Sequence, residues 1–325
     1  MTNHTNEGTT AQHVGAVRLP GKGLLVTTDS LGQVYDCALP LGGASFTVHL
    51  PRPAATEDGS QIFEAPLAFT NHGNYQDART WGGITRTHNH ALIESVWLDV
   101  EILIAKFAEE DVYLQPQLNG WFTTALRWIE VWTGQSLQLA RDMAADLQID
   151  GYLLSDEPKS DEPGIIFWDQ DEREFAAPDA DVVATPAQLQ LAFSRASVGE
   201  QVPDEWVALT HARRSINNRL AVIEAATAAE IAMAGAIERR LLGVSPAGIT
   251  KIILDANGSA GLVKLLDALD GREPGETHRG RVLSLLAEPR NGAIHSGTRP
   301  SETIAQDAIA TATDLLNEFS PLPTT

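Results

Sequence analysis

Residues 221–241 read AVIEAATAAEIAMAGAIERRL, and this run decides how the second half of the chain is built. From about 219 to 242, Val222, Ala226, Ala229, Met233, Ile237 and Leu241 recur at spacings of 4, 3, 4, 4 and 4. That is the period of one helix face. The alanines of its first half leave a small-faced stripe on which neighbouring helices can approach closely. Gly243 and Pro246 supply the stop. Helices are predicted on both sides of it: through AQLQLAFSRAS after Pro186, from near Pro203, and over 249–254, 262–269 and 281–286. Ser301 suits the cap of a last helix with Ile304, Ala308, Ala312 and Leu315 on one side.

Toward the N-terminus the period changes. GLLVTTDSLGQVYDCALPL reads as two strands around the turn at Asp29, GASFTVHLP as a third, and ALIESVWLDVEILI as a longer strand alternating at Val96, Leu98, Val100 and Ile102. Residues 14–115 are therefore predicted to form a sheet or sandwich, with loops at 52–63 and 71–83. Between 121 and 144, Phe122, Leu126, Ile129 and Trp132 mark a helix whose aromatic face packs against that sheet. Residues 155–183 are acidic and loop-rich. The expected architecture is α+β: an acidic β-rich domain over 1–183, closing in that acidic passage, and a helical bundle over 184–325.

Composition narrows the setting. The chain has 325 residues and a net charge of -20, unevenly spread. Residues 1–200 hold 11 basic and 28 acidic side chains, while 201–325 hold 12 and 15. The first part repels nucleic acid at long range. The second is near balance, with basic clusters at Arg213/Arg214/Arg219, Arg239/Arg240 and Arg279/Arg281. Cys37 is the lone cysteine, so an intrachain disulfide and thiolate-rich zinc sites are excluded. The polar start MTNHTNEGTTAQHVG lacks the layout of a signal peptide, and no apolar run approaches the ~18 residues of a membrane span. A cytoplasmic setting without a membrane partner is expected.

One short stretch carries chemistry. Residues 287–297 read AEPRNGAIHSG. Pro289 suits a first helical position and Gly297 a stop. Asn291 and His295 stand four apart and share a face, and the long arm of Arg290 reaches the same place. A fixed cation, an amide and an imidazole that titrates near neutrality make a phosphate-handling set. Gly292 and Ala293 are small enough for two such helices to meet across a two-fold axis. The competing reading is structural: Arg and His near a helix end complement its dipole and cap its last carbonyls.

A helical C-terminal half carrying Arg290-Asn291-x3-His295 on a late helix, followed by Ser296-Gly297, resembles the HEPN superfamily. The long helix over 221–241, an alanine-rich stripe bearing Glu230, is similar to the helix that opens many such domains. The resemblance covers about residues 203–320; residues 1–185 carry none. It implies metal-independent endoribonuclease activity on RNA, with no cofactor and no metal. It also implies a homodimer through the helical domain and a toxin–antitoxin, phage-defence or RNA-processing setting, with an antitoxin or other regulatory partner. Arg290 would hold the scissile phosphate, Asn291 would orient it or the neighbouring ribose, His295 would be the acid/base, and Glu230 a supporting polar group. Members that have lost catalysis serve as dimerisation or partner-binding modules, in which case the N-terminal domain is the ligand sensor.

Other constellations are weaker. His88 and His90 share a strand face, with His72 and Asp77 one loop earlier, a spacing that can bind zinc but that a polar strand entry explains equally well. LPLGGAS and TWGGIT lack the glycine spacing and Lys-Ser/Thr ending of a phosphate loop. No Gly-x-Ser-x-Gly elbow occurs.

Overall fold

A computed structural model describes residues 10–19, 23–40, 44–55, 61–64, 82–84, 90–135, 137, 149–154, 183–256, 258–272 and 279–323. The chain divides into two compact units, the first ending at Gln201 and the second spanning Val202–Thr324. The architecture is mixed, with antiparallel strands in the first unit and helices dominating the second.

Among the described residues the first unit holds ten strands: β1 (Thr10–Arg18), β2 (Leu24–Thr27), β3 (Val34–Ala38), β4 (Ala44–His49), β5 (Arg52–Ala55), β6 (Gln61–Glu64), β7 (Gly82–Ile84), β8 (His90–Ile93), β9 (Ser95–Leu103) and β10 (Ile149–Leu154). Five form one sheet in the order β10-β1-β9-β4-β3, and three form another in the order β2-β8-β7. The strands flanking Asp29 are present but are not a hairpin. A 3-10 turn at Thr28–Ser30 sends β2 to one sheet and β3 to the other. The loop expected over 52–63 is instead a hairpin, with Arg52 opposite Glu64 and Ala55 opposite Gln61. A two-stranded ribbon tolerates Pro53 because an edge position does not require its N–H. Of the second expected loop, Gly82 and Gly83 belong to β7, and the rest lies outside the described residues.

Helix α1 (Ile104–Thr133) begins well before the expected Trp121 and runs through Pro116. Pro116 is exposed, so the carbonyl left without a partner one turn back can be met by solvent. Gly134, at φ +67°, follows the last helical residue, Thr133, eleven residues short of the expected end at 144. The aromatic face does pack as anticipated. Trp121 meets Phe46 of β4 edge-on at 4.9 Å, and its ring lies 5.3 Å from Phe193. Phe193 belongs to α2 (Pro186–Ser197), opened by a capping box in which Thr185 Oγ1 accepts from Gln188 N and Gln188 Oε1 accepts from Thr185 N. Phe193 also meets Tyr35 of β3 edge-on at 5.0 Å. Through these contacts α2 belongs to the first unit, and the helical unit starts at Val202 rather than at 184.

The second unit comprises α3 (Asp204–Arg214), α4 (Asn218–Arg240), α5 (Pro246–Asp255), α6 (Ser259–Asp270), α7 (279–295) and α8 (Glu302–Phe319). Asn217, Ser245 and Ser301 cap α4, α5 and α8 through their side-chain oxygens. Helix α4 is the hub, packed against α3, α6, α7 and α8. Its ten buried residues, seven of them alanine, cover roughly half the helix circumference at 100° per residue. Alanine lets the partner backbones come close, while Val222, Met233 and Ile237 contribute roughly 1.5–3 kcal/mol each by burial. Among the described residues α4 alone is long and apolar enough to cross a membrane, and this packing accounts for its composition.

Helix α7 differs from expectation. The Arg-Asn-His stretch does not open a helix; it closes one. A turn at Arg279–Arg281 runs into a π-helical segment, Val282–Ala287, and then into the α-helical Glu288–His295. Glu288 N donates to the Leu283 carbonyl, five residues back. The wide turn shifts the hydrogen-bond ladder by one residue just ahead of Pro289, which has no N–H to give.

Candidate functional site

Three helices converge on one carboxylate. Glu230 lies on the flank of α4's buried arc. Its Oε1 accepts from Ser259 N at 2.9 Å and from Ser259 Oγ at 2.7 Å. Gly258 precedes α6 with φ +80° and has no side chain with which to cap it, so Glu230 caps α6 from another helix. The other oxygen, Oε2, lies 3.5 Å from Arg290 Nη2 on α7. Glu230 therefore ties α4, α6 and α7 together. Glu230 thus lies beside Arg290 and has a structural duty that the sequence did not reveal.

Arg290 is not saturated by that contact. Its guanidinium carries five donors in a fixed fork, and one ion pair at 3.5 Å is loose. Nε is buried and has no acceptor among the described residues. About a quarter of the side chain, 28 %, is open to solvent. A phosphate arriving at that opening competes with Glu230 for the same cation.

Asn291 and His295 are both exposed, one turn apart on α7. The helix ends directly after His295. Gly297 takes φ +63°, and Ser296 N and Thr298 N both donate to the Gly292 carbonyl at 3.1 Å. A left-handed residue there is inexpensive only for glycine, and it turns the chain away so that the imidazole stands clear. Ala293 behaves differently from expectation: it is fully buried within its own unit and offers no surface to a second helix, while Gly292 is partly exposed beside Thr298. The outward face instead carries Asn291, Ile294 and His295.

The basic clusters seen in the sequence are largely committed inside the unit. Arg240 pairs with Asp270, Arg281 with Asp314 at 2.8 Å, and Arg239 donates to the Phe319 carbonyl. Arg272 bonds Glu318 at 2.7 Å, and this hydrogen bond holds its pKa above the ordinary guanidinium value. Burial pushes Arg213 the other way, with its Nη2 donating to Thr313. One cation that sequence reasoning missed is Arg299, exposed, four residues beyond His295 and without an acidic partner among the described residues. The signal was there: the Gly297 turn holds residue 299 close to the helix end.

The arrangement offers a positioned guanidinium, a second one with no acidic partner among the described residues, and an exposed imidazole at one helix terminus. Of the zinc candidates, only His90 lies among the described residues, at the start of β8, and no group of three or more metal-ligating side chains is found among them. No known family model, curated protein or solved structure matches this chain.

Proposed function

We propose that the helical unit is a metal-independent endoribonuclease of the HEPN kind, cleaving single-stranded RNA with Arg290, Asn291 and His295. The observation that carries the reading is the pairing of a mostly buried, unsaturated Arg290 with Glu230, on the helix that ends at an exposed His295. Cleavage begins when a base removes the proton of the ribose 2′-OH. The oxygen attacks the adjacent phosphorus, a cyclic phosphate forms and the 5′-oxygen leaves with a proton. An imidazole can take or give that proton near neutral pH. Arg290 pairs with the non-bridging oxygens as negative charge builds, and Asn291 holds the phosphate or ribose in line. DNA lacks the nucleophile and is spared. One histidine per chain supplies one proton-transfer group, and a homodimer supplies the second.

The experiment is incubation of the full chain with labelled single-stranded RNA in EDTA, beside His295→Ala and Arg290→Ala. Each variant is expected to lose about 10² or more in rate, with cyclic or 3′-phosphate products from the native protein. Undiminished cleavage by folded His295→Ala refutes the assignment, as does a strictly monomeric protein that still cuts RNA for the shared site.

A second reading rests on the same ion pair. Glu230 already occupies Arg290 and caps α6, so the pair also suits a non-catalytic helical module that binds a protein partner. No cleavage by native protein, together with stable dimers or partner capture, favours that reading.

A further inference from the structure

The first unit contains a pocket of about 400 Å³ between α1 and the end of α2. That volume lies at the lower end of small-molecule sites, roughly 300–1,000 Å³. Among the described residues no acidic side chain lines this pocket. One cation does. Arg127, half-buried on α1, has no ion-pair partner among the described residues, unlike Arg195 on α2, which pairs with Glu200. Around Arg127 stand Gln117, Thr123, Thr124 and Gln201, all hydrogen-bonding groups without charge. Thr124 and Gln201 hold each other in place, the amide Nε2 donating to Thr124 Oγ1 at 3.3 Å. The remaining wall is apolar, with Pro40, Pro116 and Ala196 beside the edge of Trp121.

The guanidinium of Arg127 has no carboxylate partner among the described residues, and an oxyanion ligand supplies that counter-charge at the pocket itself. The fork of Arg127 matches two oxygens of a phosphate or carboxylate, the amides and hydroxyls take the remaining polar atoms, and the apolar wall takes a short carbon body. We propose that this pocket binds a small organic oxyanion, carried on Arg127 and bounded by Gln117, Thr124 and Gln201. This site is independent of the RNA chemistry assigned to the helical unit.

Gly120 provides the test. It lies on α1 at the pocket, and a Cβ built there meets nothing within 4 Å. Gly120→Leu therefore fills the pocket without straining the helix, and replaces a poor helix former with a good one. Arg127→Gln removes the charge but keeps the volume. Calorimetric titrations of the full chain use glycerol 3-phosphate, succinate, inorganic phosphate and neutral glycerol, at matched ionic strength.

The expected result is binding of one or both organic anions and none of glycerol. Arg127→Gln should weaken it at least tenfold, and Gly120→Leu should abolish it while melting no lower than native protein. Glycerol 3-phosphate without succinate identifies a phosphate site, and the converse a carboxylate site. Absence of binding by every anion at about 10 mM overturns the proposal (a Kd above that range carries little specific energy). So does binding that survives in either variant, and so does tighter binding of inorganic phosphate than of both organic anions.

Discussion

Replacing Glu230 with alanine should loosen α6 before it disturbs anything else. The variant removes both hydrogen bonds from Ser259, whose residue is 3 % exposed, so its N–H and hydroxyl lose their acceptor where water reaches them poorly. A hydrogen bond to a charged acceptor contributes about 1.5–3 kcal/mol, and a buried donor left unmet adds about 1–3 kcal/mol. Because both bonds share one acceptor they do not add fully, and the expected loss is about 3–5 kcal/mol, felt locally in α6. Glu230→Gln keeps an oxygen in place and should cost about 1 kcal/mol. Arg290→Met should cost no more than about 1 kcal/mol, because the pair is 3.5 Å long and both side chains are partly solvated. Hydrogen exchange with peptide resolution separates these outcomes. Amides of the α6 segment, Ser259–Asp270, should lose protection by roughly 10²–10³ in Glu230→Ala, and far less in the other two. Unchanged α6 protection in Glu230→Ala, or an equal loss in Arg290→Met, refutes the capping assignment.

Cys37 is buried, and burial pushes its thiol up to about 12, so roughly one molecule in 10⁴ carries thiolate at pH 8. Native protein should therefore react with a thiol reagent far more slowly than urea-unfolded protein; comparable rates contradict the burial. The sign of its pH dependence follows: unfolded chain ionises this thiol near 9 and folded chain does not, so stability should fall as pH rises from about 9 toward 12, and less so in Cys37→Ala. Gly261→Ala should destabilise the second unit by about 1–3 kcal/mol in urea melts, because a Cβ there collides with the Ala256 carbonyl oxygen; a neutral substitution removes that claim. If the acidic first 200 residues restrain an RNA-cleaving second unit, residues 202–325 alone should cleave faster than the full chain, with the gap closing as salt rises; equal rates reduce that acidity to a solubility device.

Helices were legible where several local signals agreed. The period of α4, the Gly243 stop after it and the Ser301 cap of α8 each act within a few residues of the chain. The failures lie where a long-range contact overrides a local signal. Residues 104–115 read as part of the sheet region, yet α1 starts there and passes through Pro116 to an aromatic face anchored on Phe46 and Phe193. Pro53 and the turn residues after it read as a loop, yet β5 finds β6 across the turn. The π-segment ahead of Pro289 leaves no mark in the periodicity, since a single wide turn shifts the register by one residue only.

The candidate site shows the same division more sharply. Residue types and the spacing of Asn291 and His295 can be read from eleven letters, because a helix fixes which side chains share a face. Which cations remain available cannot, because pairing depends on partners far along the chain. Arg240 finds Asp270, and Arg281 finds Asp314, so clusters that look like a polyanion surface are spent holding helices together. Arg290 stands between the two cases, since Glu230 engages it without saturating it. If the unit engages RNA as proposed, a phosphate must displace or share that carboxylate, whereas at Arg299 it meets no such rival among the described residues. The first cation to engage RNA in this unit is therefore expected to be Arg299. Arg299→Ala should weaken RNA binding and flatten its salt dependence by about one counterion, while Arg290→Ala should act mainly on the rate of cleavage. The opposite split, with Arg290 governing affinity and Arg299 silent, shows that Glu230 gives up Arg290 more readily than the 3.5 Å pair implies.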